Sequence, residues 1–310
     1  MKMMATPLVP VIPEVVAPPI LRHTRDRFHA FVAMTKPRIT LMVLITVATG
    51  FLLGGRQSSH PLTFTWTLLG TGLVAAGASV WNQRLERDRD SLMRRTANRP
   101  LPTGRVSLRE AELFGSFLGL GGTLILLTGT NSLAASLAAA TFLLYVFVYT
   151  PLKPVTTLNT AIGAIPGALP PVIGWSAATG QLGIEAFSLF LILFLWQFPH
   201  FLAIAWIHRE DYARGGHRML PAADTRGFLT GRQASTYALA LIPAGLLPTM
   251  IGLAGGLYFT GALLFGCFYF ASALKFWSDV SDANARKLLR ASILYLPAIL
   301  GLLLINPLPA

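Results

Sequence analysis

The chain has 310 residues, of which 53% are hydrophobic and only 12% are charged. This number of charged side chains is too small to cover the surface of a water-soluble protein of this size. The composition therefore favours a protein that lies in a lipid bilayer. The formal net charge of +12 does not indicate a nucleic-acid partner, because the basic residues lie between apolar runs. The single cysteine, Cys267, excludes a disulfide framework and a thiolate metal cluster, and it is interpreted as a core residue.

Residues 1–34 are predicted to form a flexible N-terminal tail. Prolines between residues 10 and 19 interrupt its apolar stretch, and no small-residue cleavage site follows, so a signal peptide is not predicted. A basic interfacial segment at Arg22, Arg25 and Arg27 is expected to lead into residues 35–310, which are predicted to form one intramembrane domain.

The remaining chain predicts an all-α bundle, because it contains apolar runs near the length of about 20 residues that a helix needs to cross a bilayer. Nine such runs lie approximately at residues 39–53, 64–81, 111–129, 132–149, 158–178, 186–207, 237–256, 258–276 and 288–305. The fifth combines Gly163 and Gly167 with three prolines, which predicts that it packs closely against a neighbour or breaks.

The charged residues predict the orientation of this bundle. All but one of the 25 Lys and Arg residues fall on one side, with Arg56 as the exception. Because cytoplasmic loops retain Lys and Arg, the N-terminus is predicted to be cytoplasmic and the C-terminus to lie outside. All but one of the 13 acidic residues, Glu185 excepted, fall on the same side, although the topology rule does not require carboxylates there. Chemistry is therefore predicted at that surface.

The second span ends in the most polar stretch of the chain, WNQRLERDRDSLMRRTANRPLPTGR. If the helix continues into it, Asn82, Glu86 and Asp90 share one face, while Asp88 points away. Three oxygen-bearing side chains at a membrane surface are suited to Mg²⁺, which takes carboxylate oxygens and keeps waters and substrate phosphate oxygens. A solvated loop is the alternative.

Cationic side chains near this acidic face are suited to phosphate oxygens. After the second span they are Arg94, Arg95, Arg99 and Arg105. For any single arginine, a role in topology alone stays an open alternative. Lys153, four residues after Tyr149, either anchors its helix or contributes a further cation to the same diphosphate.

The sixth span, in LWQFPHFLAIAWIHREDYARGGHRMLP, carries His200 at membrane depth. Such a group is costly and normally faces the bundle interior, so His200 is a candidate site residue. On an unbroken helix it shares a face with Asp211 and lies about 16 Å deeper. The His200 ring either forms a hydrogen bond with a backbone carbonyl of a neighbouring helix or binds a porphyrin iron as an axial ligand. His208 and His217 are expected to be solvated loop residues.

Four stretches in order carry a family resemblance: MTKPRITLMVL, NQRLERDRDSLMRRTANRPLPTGRV, YTPLKPVTTLNTAIGAIPGALPPVIGW and LWQFPHFLAIAWIHREDYARGGHRMLP. From about Thr35 onward, the chain resembles the UbiA-like intramembrane prenyltransferases, and in particular the branch that acts on haem. The resemblance implies a nine-helix bundle with a central cavity, where Mg²⁺ and an acidic motif hold a prenyl diphosphate. It further implies transfer of farnesyl from farnesyl diphosphate to a vinyl group of haem B, which yields haem O for terminal oxidases.

Together, the residues and the resemblance define an expected site. The expected metal ligands and catalytic residues are Asn82, Glu86, Asp90 and Asp211; Arg38, Arg99, Tyr149 and Lys153 are expected to bind the diphosphate, and His200 the haem. Many family members carry aspartate in place of Glu86. The wider family has a second Asp-x-x-x-Asp motif, whereas Asp211 is followed by Gly215 at that spacing, so the number of metal ions stays open.

Two alternatives remain open. A UbiA-like enzyme that prenylates an aromatic quinone precursor would keep the acidic site without needing His200. A secondary transporter fits less well, because its polar groups should meet near the bilayer midplane. The expected partners are farnesyl diphosphate, haem B and the lipid bilayer, with haem A synthase or oxidase assembly factors as candidate protein partners. The expected location is a bacterial inner membrane, with the mitochondrial inner membrane as the alternative.

Overall fold

The computed structural model describes residues 24–55 and 60–308, and within these ranges the chain forms helices and no strands. The helices are α1 (Thr24–Met34), α2 (Pro37–Gly54), α3 (Pro61–Leu92), α4 (Leu108–Gly129), α5 (Ser132–Leu143), a π-helical segment (Leu144–Tyr149), α6 (Thr150–Leu152), α7 (Asn159–Ala168), α8 (Pro170–Thr179), α9 (Ile184–Ile207), α10 (Arg209–Arg214), α11 (Leu220–Ala223), α12 (Phe228–Met250), α13 (Gly256–Ser278) and α14 (Asp282–Ile305). The all-α prediction is confirmed.

Eight helical segments of the described chain are long and apolar enough to cross a membrane. They are α2, α3, α4, the run Ser132–Leu152, the run Asn159–Thr179, α9, α13 and α14. The predicted seventh span corresponds to α12, which has 23 residues but carries Arg232 and two internal prolines, and packs between α9 and α13. The count of nine is therefore approximate, and the chain is an integral membrane protein.

The fifth predicted span both breaks and packs closely. Its helix is interrupted at Leu169, because Pro170 and Pro171 cannot donate backbone hydrogen bonds to the preceding turn. On α7, a Cβ at Gly163 would lie 2.6 Å from the Tyr149 ring, and one at Gly167 would lie 2.0 Å from the Gln197 side-chain oxygen. Glycine permits this approach without displacing those side chains, so α7 packs closely against the fourth and sixth spans.

Glycines also bring α3 and α4 together. A Cβ at Gly122 would lie 2.5 Å from the carbonyl oxygen of Gly70, and one at Gly77 would lie 2.7 Å from that of Gly115. Membrane helices associate without a hydrophobic driving force, so small residues that let backbones approach stabilise the contact through close packing. This contact fixes the position of α3, the helix that carries the acidic face.

Helix α1 covers the last part of the predicted tail. Its Ala30 and Met34 are buried against Val80 and Ala111 of α3 and α4, and Gln83 donates a hydrogen bond to the Met34 carbonyl (2.7 Å). The apolar side of α1 therefore folds onto the bundle, and the boundary expected at residue 35 falls after this helix. Residues 1–23 of the tail, including Arg22, and the outlying Arg56 lie outside the described residues.

The polar connections meet at one end of the bundle. Arg89 of α3 donates to the carbonyl of Gly215 (3.2 Å), which lies after α10. The Arg218 backbone N–H donates to the Lys153 carbonyl (2.8 Å). These bonds join the ends of the second, fourth and sixth spans. Elsewhere, Cys267 is exposed on α13, so its interpretation as a core residue was wrong.

Candidate active site

The end of α3 presents a buried polar face. Asn82, Glu86 and Asp90 are only 2%, 6% and 0% exposed, whereas the Asp88 side chain is 94% exposed. The helix continues unbroken through Leu92, so a spacing of four residues stacks the three side chains on one face. The predicted geometry of this face is confirmed.

Each member of this face is bound by a cation from a different part of the chain. Lys36 donates to the Asn82 Oδ1 (3.1 Å), Lys153 forms an ion pair with Glu86 (2.7 Å), and Arg99 forms one with Asp90 (2.6 Å). Asn82 also donates to the Thr150 hydroxyl (3.1 Å), which joins α3 to the start of α6. The first, second and fourth spans thus converge on one cluster.

Lys36 was missed by the sequence analysis, which proposed Arg38 instead. The side chain of Arg38 is exposed at the start of α2. Lys36 has φ 48° and ψ 61°, a left-handed conformation that is uncommon for a residue other than glycine. That backbone turn precedes Pro37, the first residue of α2, and accompanies the contact between Lys36 and Asn82. The sequence feature that could have indicated Lys36 is a lysine placed directly before a proline that begins a helix.

The electrostatics of the cluster favour an anion. Burial, together with the nearby Arg99 and Lys153, lowers the pKa of Lys36 to about 7. For Lys153, burial acts to lower the pKa, but the Glu86 carboxylate and two tyrosines outweigh it, so the pKa is raised. Near neutral pH, Arg99, Lys153 and a partly protonated Lys36 therefore face two carboxylates in a poorly solvated place, and a bound polyanion would favour the charged form of Lys36.

The two carboxylate oxygens of Asp90 differ in their hydrogen bonding. Its Oδ2 binds Arg99, whereas its Oδ1 is buried without a hydrogen-bond partner. The adjacent Thr96 hydroxyl donates to the Asp90 backbone carbonyl (2.9 Å) instead. An unpaired buried carboxylate oxygen is costly unless a ligand completes it. Asp90 with the neighbouring oxygens of Asn82 and Glu86 therefore fits Mg²⁺, which is held by one or two carboxylates, waters and substrate phosphates.

This face is not a complete set of protein metal ligands. Among the residues that the structure describes, no three His, Cys, Asp or Glu side chains are grouped to hold an ion. Asp211 binds Arg214 and accepts a hydrogen bond from the Arg94 backbone N–H (3.3 Å). These contacts, the Arg214 bond foremost, lower its pKa. Asp211 lines a cleft of about 270 Å³ at the polar end of the bundle, together with Arg94 and Arg214.

The shared face of His200 and Asp211 was calculated on the condition of an unbroken helix, and the helix is broken between them. Helix α9 ends at Ile207, His208 takes a non-helical conformation with φ −109° and ψ 21°, and α10 begins at Arg209. The rotation and rise calculated for one helix do not apply across this break. His200 and Asp211 therefore belong to separate helices.

His217 is a further residue that the sequence analysis misplaced. It was expected in solvent, but it is only 4% exposed, and its Nδ1 is buried without a hydrogen-bond partner. Burial lowers its pKa to about 4, against the opposing effect of Glu86, so the ring is neutral at pH 7. Gly216, with φ 66°, makes the turn that leads into His217. A neutral imidazole nitrogen is therefore available close to the acidic face.

Tyr149 lies beside the cluster, as its spacing from Lys153 indicated. The Lys153 ammonium is 4.6 Å from the centre of the Tyr149 ring. Tyr149 ends the π-helical segment, which precedes Pro151 and is a type of helix widening frequent at functional sites. The other predicted arginines have other contacts: Arg95 lies over Tyr212, and Arg105 binds Thr103 and the Asn98 carbonyl.

His200 lies in another helix interface, between α9 and α14. Its Nδ1 is 2.7 Å from the Ser292 hydroxyl oxygen, and its ring stacks on Trp196 with centroids 4.8 Å apart. Gln197, on the same helix, faces α7 and donates to the Ala164 carbonyl (3.2 Å). None of these contacts joins His200 to the acidic face.

Comparison with known proteins decides the family, because the model of the UbiA prenyltransferase family matches residues 43–297. The chain belongs to this family. Curated relatives named protoheme IX farnesyltransferase include that of Solibacter usitatus, 45% identical over 89% of this chain and 98% of the relative. That of Koribacter versatilis is 43% identical over 88% and 91% of the two chains. The mitochondrial enzyme of Arabidopsis thaliana is 38% identical over 88% of this chain and 64% of the relative.

Solved structures show the same fold at low sequence identity. A digeranylgeranylglyceryl phosphate synthase superposes with a TM-score of 0.77 and 16% identity, covering 91% of this chain and 98% of that one. A UbiA homologue from Archaeoglobus fulgidus, solved bound to GPP and Mg²⁺, has a TM-score of 0.62 and 15% identity, covering 88% and 99%. The predicted UbiA-like architecture is confirmed.

Proposed function

We propose that this chain transfers the farnesyl group of farnesyl diphosphate to a vinyl group of haem B, forming haem O and releasing diphosphate. The relatives that share 38–45% identity with it bear the name of this activity, and the chain spans nearly the full length of several of them. The observation that carries the proposal is the buried face of α3, where three cations surround two carboxylates and an amide.

The cationic residues are proposed to bind the diphosphate. Lys36, Arg99 and Lys153 donate to its oxygens, and Arg99 in particular offers a forked set of donors. When the bond between C1 of farnesyl and oxygen breaks, the electron pair leaves with the diphosphate. Fixed cations in a poorly solvated pocket stabilise the negative charge that grows there. Tyr149, held between Lys153 and Gly163, forms a wall of this pocket.

Mg²⁺ is the proposed cofactor, held by Asn82, Glu86 and Asp90. When bound, it supplies further neutralisation of the diphosphate charge. The unpartnered oxygen of Asp90 supports this assignment, as does the Mg²⁺ reported with GPP in the Archaeoglobus fulgidus homologue. Asp211 is proposed as a group at the rim of the site, where Arg94 and Arg214 hold its carboxylate.

The acceptor step follows from the chemistry of the two substrates. The π electrons of the haem vinyl group attack the allylic cation and form the new carbon–carbon bond. The positive charge then next to the porphyrin ring is taken by water, which loses a proton and leaves a hydroxyl group. The protein must hold the vinyl carbon near C1 of farnesyl and admit one water, and His200 is proposed to bind the haem for this purpose.

The charged end of the bundle is proposed to face the bacterial cytoplasm, with the N-terminus inside and the C-terminus outside. The distribution of Lys and Arg supports this orientation. Haem O is a precursor for terminal oxidases, so contact with haem A synthase or oxidase assembly factors is part of the proposal. Since a mitochondrial relative exists, the mitochondrial inner membrane is the alternative location.

Mass analysis of porphyrins tests the function. Purified protein is incubated with haem B, farnesyl diphosphate and Mg²⁺, and in a parallel reaction an aromatic quinone precursor replaces haem B. The expected product is haem with the mass of one farnesyl group and one hydroxyl group added, in the first reaction alone. Prenylation of the aromatic acceptor with unmodified haem would overturn the proposal in favour of a quinone-pathway enzyme.

A further inference from the structure

His200 is held by a serine on a neighbouring helix. The Ser292 hydroxyl oxygen of α14 lies 2.7 Å from the His200 Nδ1, and the same hydroxyl donates to the Leu289 carbonyl (2.6 Å). The Ser292 backbone carbonyl accepts a hydrogen bond from the Trp196 indole N–H (2.9 Å). Ser292 therefore contacts both His200 and the ring on which His200 stacks.

The single proton of the serine hydroxyl decides the tautomer of His200. The Leu289 carbonyl can only accept, so a Ser292 hydroxyl that donates to it presents an oxygen lone pair to His200. The bond between them then requires a proton on Nδ1 of the imidazole. A neutral imidazole has one N–H, so the lone pair of His200 lies on Nε2.

The ring of His200 is also fixed in orientation. It stacks on Trp196 with an angle of 24° between the ring planes. Trp196 is itself held by the Ser292 carbonyl, and its own backbone carbonyl accepts from the Tyr269 hydroxyl (3.2 Å) of α13. Three helices thus restrict the direction in which Nε2 points.

We propose that Ser292 is a positioning residue that sets the tautomer and direction of His200, so that Nε2 binds the iron of the haem substrate. This inference rests on the proposed function and deepens its acceptor site. A histidine ligand usually donates its other ring N–H to a nearby acceptor, which fixes the tautomer and makes the ligating nitrogen more basic. Here the acceptor is a hydroxyl supplied by the last helix.

Ser292→Ala removes the contacts of the Ser292 hydroxyl, while the backbone carbonyl that binds Trp196 remains. Haem B is titrated into the purified protein, and its visible spectrum reports axial ligation. Ser292→Ala should weaken haem affinity about tenfold, which is the lower end of the effect of removing a residue that hydrogen-bonds to a metal ligand. It should also shift the visible spectrum of the haem, while the KM for farnesyl diphosphate stays unchanged. Ser292→Thr, which keeps the hydroxyl, should restore both. Ser272→Ala is the matched control, since that hydroxyl donates to the Phe268 carbonyl of its own helix, α13.

A chemical rescue tests the same point without changing Ser292. In His200→Gly, added imidazole can donate an N–H to Ser292 and still ligate iron, whereas 1-methylimidazole has no N–H. Imidazole should restore haem ligation and 1-methylimidazole should not. Equal rescue by the two, or a wild-type spectrum and affinity in Ser292→Ala, would overturn the role of Ser292. If His200→Ala itself leaves haem ligation unchanged, the inference fails, while formation of haem O, measured separately by mass, still decides the function.

Discussion

Asp90 and Arg99 form a 2.6 Å ion pair across the turn that follows α3, and this pair uses only one of the two carboxylate oxygens of Asp90. The other oxygen is buried without a partner. A protein that needed only stability at this turn would gain from pairing both oxygens or from removing the charge. This second oxygen is the one that we propose coordinates Mg²⁺.

The contrast between Lys36 and Arg38 gives a direct test of the diphosphate pocket. Lys36→Met removes a charged donor that contacts Asn82, so the KM for farnesyl diphosphate should rise about tenfold, the effect of losing one charged hydrogen bond. Arg38→Met, two residues away and exposed, should leave KM within about twofold. Steady-state kinetics on both variants check this, and an equal rise in both would remove Lys36 from the pocket.

Removing Lys153 should damage stability as well as activity. Lys153→Met leaves the Glu86 carboxylate buried without its 2.7 Å partner, which should lower the free energy of unfolding by about 3–5 kcal/mol. The double variant Lys153→Met with Glu86→Gln removes both charges and should recover most of that stability without recovering turnover. Thermal unfolding in detergent and turnover are measured together.

The control for this pair is Arg84→Met, which breaks a partly exposed ion pair with Glu112 and should cost at most about 1 kcal/mol. Should the double variant regain activity along with stability, Lys153 and Glu86 would be structural residues rather than parts of the site.

Adjacent glycines on α4 test the contact that positions α3. Gly122→Ala places a methyl group 2.5 Å from the Gly70 carbonyl oxygen, and this overpacking should destabilise the protein by about 1–3 kcal/mol. At Gly121 a Cβ would meet nothing within 4 Å, so Gly121→Ala should be neutral or slightly stabilising. Thermal unfolding of the two variants compares them directly, and similar melting temperatures would contradict the close contact.

Much of this site follows from local periodicity. The face formed by Asn82, Glu86 and Asp90 could be predicted because all three lie on one helix, where a spacing of four residues fixes their relative direction. The proximity of Tyr149 and Lys153 follows from the same rule. Apolar run lengths likewise predicted the spans, apart from the less apolar α12.

Contacts between distant segments could not be predicted in the same way. Lys36 reaches Asn82 through a left-handed backbone turn that no periodic pattern specifies. His217 is buried because Arg89 binds the carbonyls of Gly215 and Gly216 and draws their loop onto α3. The break at His208, likewise, separates His200 from Asp211 without a proline or glycine to indicate it.

The most direct test of the central claim compares two aspartates on α3. Asp90→Asn keeps the size of a fully buried side chain but removes its charge, whereas Asp88→Asn changes a side chain that is 94% exposed. The measurement is the rate of haem O formation from haem B, farnesyl diphosphate and Mg²⁺, followed by mass. Asp90→Asn should lower this rate by about 100-fold or more, because the loss of one group that stabilises developing charge typically has an effect of that size. Asp88→Asn should keep a rate near that of the wild type. Undiminished turnover of Asp90→Asn at saturating Mg²⁺ would contradict the claim that the buried face of α3 is where diphosphate departs.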